Sequence, residues 1–592
     1  MKKLLVFALL ILLIPAVNAK EGHMKLLAVT ETNNGYKGGI ADLYLEIKPG
    51  SGRVFLETFP LTKIDTQVST RFAREIACDF ADVDCGKFDF FYTITANSPI
   101  VAGPSAGAAI SVLTFSLIKN IDFDENIAIT GTINSGGLIG PVGGLKAKIE
   151  AADKVGMKKV LMPMGESINE ENESFEKNES VNESFDLDEL REKYVMEIKE
   201  VTTLDEAIFE FTGKRFREKK ADLTISQDYK DTMKMLAIQL CSRSTQLKKT
   251  TSNLEIIDNK TKPVLDNAVN MSDKGKNAFN EYKYYSSASY CFGANVEFNY
   301  LSLLQLNLTE DGIIKKANEL RAEIKSFDET IENEEIKTIT DLESYMVVKE
   351  RLIEANDFLG MVIEAIGDRD EILHNLAYAI ERLNSAKSWA RFFENTGKEF
   401  NFNDELIRNA CKTKLSEVEE RLQYVQLYFP SSLAVTRKEL DYAYQDLQED
   451  NYELCLFKAS KAKADVDAIL SVFGVKNNNV GDIINQKLSI VERNLVEEIE
   501  KGVFPILGYS YFEYANSLKD SDPFSALLYS EYALELSNLD IYFKSTTTSR
   551  LNLLERIDSK LLVVLITGVV LGIFIAKISN FKLKKVKKRK LM

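Results

Sequence analysis

Ser105 is the first residue whose surroundings suggest chemistry. It lies in SPIVAGPSAGAAISVL, flanked by small residues and directly before a stretch with helical spacing. That placement exposes the hydroxyl and brings the first free helix N–H groups close enough to stabilise a developing oxyanion. A serine that opens a helix also serves simply as a cap, so the segment needs a base before it implies catalysis. GPSAG formally fits G-x-S-x-G, the nucleophile elbow whose triad runs Ser-Asp-His. The chain has only two histidines. His23 precedes the serine near the N-terminus, and His374 lies far beyond it in the charged helical stretch DRDEILHNLAYAIERL. Neither is a convincing base.

A neutral lysine can do the same work. Burial disfavours its charged form, so the amine can take the serine proton, and Ser-Lys pairs are an established way to activate a hydroxyl. The candidate is Lys146 in GLIGPVGGLKAKIEAA, where glycines at 136, 137, 140, 143 and 144 permit tight turns before a helix. Lys148 is its rival. Two residues further along a helix it faces elsewhere, so the role falls to Lys146. The six cysteines, at 78, 85, 241, 291, 411 and 455, contain no C-x-x-C pair and no histidine companion, so no metal site is expected. Cys78 and Cys85 are the best candidate disulfide, against the alternative of two buried thiols.

These residues fall in a compact α/β stretch. MKLLAVT, IADLYLEIKP, GRVFLETFP and KFDFFYTITA have strand composition, and Gln67–Phe80 has helical spacing. After Ser105 a buried helix (AGAAISVLTFSLI), a strand (ENIAITG), an amphipathic helix (LKAKIEAADKVG) and another strand (KKVLMPM) follow. The order is mixed, not doubly wound. Residues 166–189, rich in Glu, Asn and Ser, read as an exposed acidic loop, and YVMEIKEVT with LDEAIFEFTG completes this domain near 213. From 221 to about 555 the character changes. Ten Gly and four Pro in residues 221–560 accompany long 3.6-period segments. One is Thr340–Ile366, opening on a Thr340/Glu343 capping box; others cover about 369–394, 403–429 and 436–473. An all-helical domain of hairpins or a bundle is expected there.

The ends are different again. Residues 1–19, MKKLLVFALLILLIPAVNA, read as a signal peptide cleaved after Ala19, with a retained anchor as the competing reading. Leu561–Ala576 is an uncharged run that a transmembrane helix could use, with Lys560 and Lys577 snorkelling at its edges. The tail 577–592 carries eight cations and no acid, which marks it cytoplasmic and places the body outward. The formal net charge is −15, and the eleven cations outside residues 20–559 leave that body at −26. Nucleic acid is therefore not expected as a partner, while the lipid bilayer is, through the C-terminal helix. Six N-x-S/T sequons, at Asn172, Asn178, Asn182, Asn259, Asn270 and Asn307, support the same topology.

GPSAGAAISVL followed by IAITGTINSGGLIGPVGGLKAKIEAADKVGMKKVLMP resembles the proteolytic domain of the Lon proteases, peptidase family S16. The resemblance covers about residues 24–213 and implies an α+β proteolytic domain of mixed sheets with helices, followed here by the all-α domain and the transmembrane helix. It implies Ser105 as nucleophile, Lys146 as general base and Thr130 of the TG pair as a supporting residue. It also implies polypeptide substrates and a hexameric homo-oligomer. Two positions depart from the family pattern: Ala102 stands where an acid is usual, and Thr132 where Glu is frequent. No G-x-x-x-x-G-K-[ST] segment occurs, so the ATPase module of ordinary Lon is missing from this sequence and no cofactor is expected. The resulting expectation is a membrane-anchored, ATP-independent serine endopeptidase facing outward. A non-catalytic scaffold that recruits substrates or partners is the alternative.

Overall fold

The computed structural model describes residues 20–543 except 33–34, 102, 165–186, 218–222, 252–259, 365, 394–396, 427–433 and 472–479; beyond 543 it describes only 567–568 and 571–572. The leader 1–19, nearly all of the span 561–576, the tail 577–592 and most of the acidic loop lie outside the described residues. Among the described residues no helix is long and apolar enough to cross a membrane.

The first half mixes strands and helices, as the sequence pattern predicts. In chain order come β1 (Lys20–Thr32), β2 (Gly35–Pro49), β3 (Val54–Thr62), α1 (Ile64–Phe80), β4 (Phe88–Val101), α2 (Gly107–Lys119), β5 (Ile127–Ile129), β6 (Thr132–Ile133), β7 (Ile139–Gly140), α3 (Leu145–Lys154), β8 (Lys159–Pro163), α4 (Leu187–Lys193), β9 (Glu197–Val201) and α5 (Leu204–Thr212). Seven strands form one sheet in the order β3-β4-β2-β1-β5-β8-β9, and β6 with β7 makes a separate two-stranded hairpin. β1, β2 and β4 pair antiparallel, whereas β3/β4, β1/β5, β5/β8 and β8/β9 are parallel. The sheet is mixed.

Alternation along the strands sends side chains to two cores. On one face Leu26, Leu43, Leu45, Phe90, Tyr92 and Ile94 pack with Phe72 and Ile76 of α1 and Ile110, Leu113 and Phe115 of α2. On the other, Leu27, Ala128, Val160, Met162 and Ile198 pack with Leu145, Ile149 and Ala152 of α3. Helices α2 and α3 therefore sit on opposite faces of the sheet, and what joins them must cross the end of β5. Cys78 and Cys85 form a disulfide that closes the turn after α1.

The second half is helical among the described residues: α6 (Gln227–Thr251), α7 (Lys262–Asn280), α8 (Tyr284–Gln305), α9 (Glu310–Ile331), α10 (Ile339–Ile363), α11 (Arg369–Trp389), α12 (Asp404–Gln426), α13 (Ala434–Gln448), α14 (Tyr452–Ser471), α15 (Val480–Glu500), α16 (Ile506–Leu518) and α17 (Pro523–Leu536). Two expectations need correction. The capping box of α10 is Thr338 with Asp341, each accepting the other's backbone N–H, not Thr340 with Glu343. Thr340 instead donates to the Phe504 carbonyl at 2.7 Å, and buried Glu343 accepts the Leu507 N–H at 2.7 Å, so both tie α10 to the start of α16. The stretch 436–473 is not one helix. Asp450 adopts a left-handed φ of 62°, Asn451 N–H turns back to the Asp446 carbonyl, and α14 restarts at Tyr452. Disulfides Cys241–Cys291 and Cys411–Cys455 cross-link α6 to α8 and α12 to α14. Both halves belong to one compact unit.

Candidate active site

Strand β4 delivers the chain to Gly103, a short 3₁₀ turn spans Pro104–Ala106, and α2 begins at Gly107. Ser105 is thus held in a one-turn prelude to the helix, and it is partly exposed. Its backbone is fixed to the strand end opposite: Gly131 N–H donates to the Ser105 carbonyl at 3.0 Å, and Ala108 N–H donates to the Gly131 carbonyl at 3.0 Å. A side chain at 131 would force Ile139 to shift, because its Cβ would lie 2.5 Å from the Ile139 side chain.

Thr130 follows β5 directly. It is 1% exposed, and its N–H donates to the Leu161 carbonyl at 3.1 Å. Across the sheet end, the Lys148 Nζ donates to Thr130 Oγ1 at 3.1 Å, and Lys148 is only 2% exposed. The structure therefore puts a buried lysine amine on the threonine, but the lysine is 148. Lys146 is half-buried on the same helix. The reason is helical phase. α3 buries Leu145, Lys148, Ile149 and Ala152, the i, i+3, i+4, i+7 stripe of one face, with the small Ala147 and Ala151 beside it. Lys146 lies off that stripe, whereas Lys148 lies within it.

A carboxylate that the sequence reading omitted serves the serine loop. Asp65, in the first turn of α1, accepts the Gly103 N–H on Oδ2 at 2.9 Å and the Thr66 N–H on Oδ1 at 2.6 Å. Ser69, one turn on, donates to the Pro104 carbonyl at 3.3 Å. The N-terminus of α1 thus grips both residues that precede Ser105. The available signal was an acid in the first turn of a helix, where the helix dipole favours negative charge.

The helical half reaches this site through α12. Arg421, 2% exposed, donates from Nη2 to the Ile133 carbonyl at 2.8 Å and also to Asn134 Oδ1. Tyr424 accepts the Gly143 N–H on its phenol oxygen at 2.9 Å. Beside Arg421, burial pushes the Glu420 carboxyl up to about 7. Arg421 and Lys463 oppose that rise, and the charges of Asp467 and Asp65 add to it. Among the described residues no group of His, Cys, Asp and Glu could hold a metal ion.

Comparison with known proteins points the same way. Residues 96–205, which contain Ser105, Thr130, Lys146 and Lys148, match the profile of the Lon protease (S16) C-terminal proteolytic domain. The chain is similar to a Lon protease of Methanosphaera stadtmanae, 35% identical over 155 residues that make up 26% of this chain and 17% of that protein. It is also similar to an archaeal Lon protease of Thermoplasma volcanium, 32% identical over 153 residues, 24% of this chain and 22% of that protein. Lon protease 2 of Bacillus subtilis is 44% identical over 75 residues, 12% of this chain and 14% of that protein. The chain thus spans less than a quarter of the length of each of these relatives, and the likeness is to the proteolytic domain alone.

Proposed function

We propose that the chain is a serine peptidase of the Lon type that works through a Ser-Lys dyad, with Ser105 as nucleophile and Lys148, rather than Lys146, as general base. The observation that carries the reading is the chain of contacts across the end of β5: Lys148 Nζ on Thr130 Oγ1, and Gly131, the next residue, bonded to the Ser105 backbone. A buried amine suits a base, because burial disfavours the charged form. Thr130 then orients that amine.

Ser105 Oγ attacks the peptide carbonyl while its proton passes to Lys148 Nζ. Backbone N–H groups beside Ser105 hold the oxyanion. The C–N bond breaks as Lys148 returns the proton to the leaving amine, and an acyl-enzyme remains. Water, deprotonated by the same amine, releases the acid and restores Ser105.

The wider setting is part of the same proposal. The sequence holds no P-loop, so cleavage would proceed without ATP, on unfolded, flexible or membrane-proximal polypeptides. Three disulfides support an oxidising compartment for the body, and the cationic tail beyond the 561–576 span supports a cytoplasmic C-terminus with a single membrane anchor. A hexameric assembly is proposed by likeness to Lon.

The test is cleavage of a denatured, fluorescently labelled protein by the full chain in detergent, with and without ATP. Wild type should cleave at the same rate in both. Ser105→Ala and Lys148→Met should lose at least about a thousandfold, and Lys146→Met should stay within about twofold, the range of a lysine outside the reacting set. No turnover by folded wild type would instead favour the scaffold reading.

A further inference from the structure

Between Thr130 and Lys148 the chain must cross from the end of β5 to the far face of the sheet. It does so through the β6–β7 hairpin and the turn 141–144. That connector fixes where the base stands relative to the serine, and its own regular structure is slight: a two-residue ladder, Thr132 with Gly140 and Ile133 with Ile139, a 3₁₀ turn at Ser135–Gly137 and one bridge from Leu138 to Thr203. Its remaining support comes partly from outside the α/β half. Arg421 and Tyr424 are three apart on α12 and so share one face of that helix. Arg421 takes the Ile133 carbonyl and the Asn134 side chain at the start of the connector. Tyr424 takes the Gly143 N–H at its end. The next residue, Gly144, is the left-handed (φ 67°) N-cap of α3, and its carbonyl accepts the Lys148 N–H at 3.0 Å.

The α12 side of the clamp is itself braced. Arg421 Nε faces Asp467 at 3.3 Å and Glu420 at 3.6 Å, and Asp467 lies 3.5 Å from Lys463 Nζ, which also stands over the Phe72 ring of α1. Both clamp residues are buried.

We propose that Arg421 and Tyr424 are positioning residues of the peptidase site: the helical domain clamps the Ile133–Gly143 connector and thereby sets the Thr130–Lys148 contact. The helical half is then part of the catalytic unit and not an appended module. The inference rests on the Ser-Lys reading above.

Its test uses the full chain in detergent. Tyr424→Phe removes one acceptor with little change of shape, and Arg421→Met removes the other tie. Each should lower kcat per folded molecule about three- to tenfold, the scale of one or two buried hydrogen bonds, with KM within about twofold. Amide exchange in the peptide covering 139–149 should speed up in both, while peptides from α8 and α10 keep their protection. Tyr424→Phe keeps the inference falsifiable if Arg421→Met fails to fold. Wild-type cleavage that Ser105→Ala abolishes, together with a Tyr424→Phe enzyme of unchanged kcat, would overturn this inference alone. Faster exchange without a fall in kcat would overturn it too. No cleavage by folded wild type would overturn both readings.

Discussion

In the α/β half, the charged side chains buried among the described residues are Asp65, Asp89, Lys148 and Asp205. Most of them serve one local piece of backbone or the site: Asp65 holds Gly103, Asp89 holds the Ser51–Arg53 turn, and Lys148 meets Thr130. The helical half buries several times as many, and it joins them. Lys414 reaches Glu417 and Glu535, Lys463 reaches Glu535 and Asp467, and Asp467 faces Arg421. One half uses buried charge singly, for turns and for the Thr130 contact. The other puts much of it into a shared network that holds α12, α14 and α17 together beside the connector of the site.

Local use predicts sharp, confined effects. The largest follows from the lysine pair. Lys148→Met should abolish cleavage by at least about a thousandfold while Lys146→Met, two residues away, leaves it within about twofold. Equal losses would remove the helical-phase argument that separates them.

Shared use predicts effects that spread. Glu535→Gln leaves Lys414 and Lys463 short of their common partner in a fully buried site, and the expected cost is about 3–5 kcal/mol in chemical denaturation. Lys463→Met combined with Glu535→Leu removes one cation and one anion together, leaving Lys414 with Glu417. That pair of changes should cost less than Glu535→Gln alone, a coupling that a double-mutant cycle reads directly. Simple additivity would mean that the network is only a set of independent pairs.

The same contrast explains what was legible in the sequence. Periodicity and strand composition located most of the longer strands and helices of the α/β half, but not the two-residue strands β6 and β7 or the short α4, which are too brief to show a period. Ser105 stands out by its small neighbours before a helix, and Thr130 enters only through the resemblance of its TG pair. Lys146 and Lys148, two apart on a helix, face different ways, and the apolar stripe Leu145, Ile149, Ala152 indicates which way is buried: Lys148 lies in that stripe. Asp65 was not readable as a site residue because its partner, Gly103, lies on another element. In the helical half the elements were legible and their joints were not. Thr340 and Glu343 looked like a cap because their spacing is right, yet they bond to residues more than 160 positions away. Arg421 and Tyr424 look, in sequence, like ordinary residues of an amphipathic helix. Only the fold brings them to Ile133 and Gly143.

The smallest expected effect, and the one that separates the halves most simply, is in pH. Burial pushes the Glu513 carboxyl of α16 up to about 7, although the Ser286 N–H and hydroxyl both bond to it. An unfolded Glu loses its proton near 4.3, so between those values the folded state keeps a proton that the unfolded state has lost. The contribution is full below about 4.3 and is lost as pH rises through 7, amounting to about 1–3 kcal/mol. Asp89 has the opposite sign. The Arg53 side chain, with the Ser51 and Arg53 N–H groups, holds it down at about 2. Its contribution is full above about 4 and is lost as pH falls toward 2. Amide exchange from pH 5 to 8, corrected for intrinsic rates, should therefore show peptides of α8 and α16 loosening with rising pH, while the turn between β2 and β3 stays constant. Glu513→Gln should flatten the first trend, and Asp89→Asn should leave it untouched while loosening that turn at every pH. If both regions instead loosened together, the two halves would be opening as one cooperative unit, and local use of charge in the α/β half would not survive the measurement.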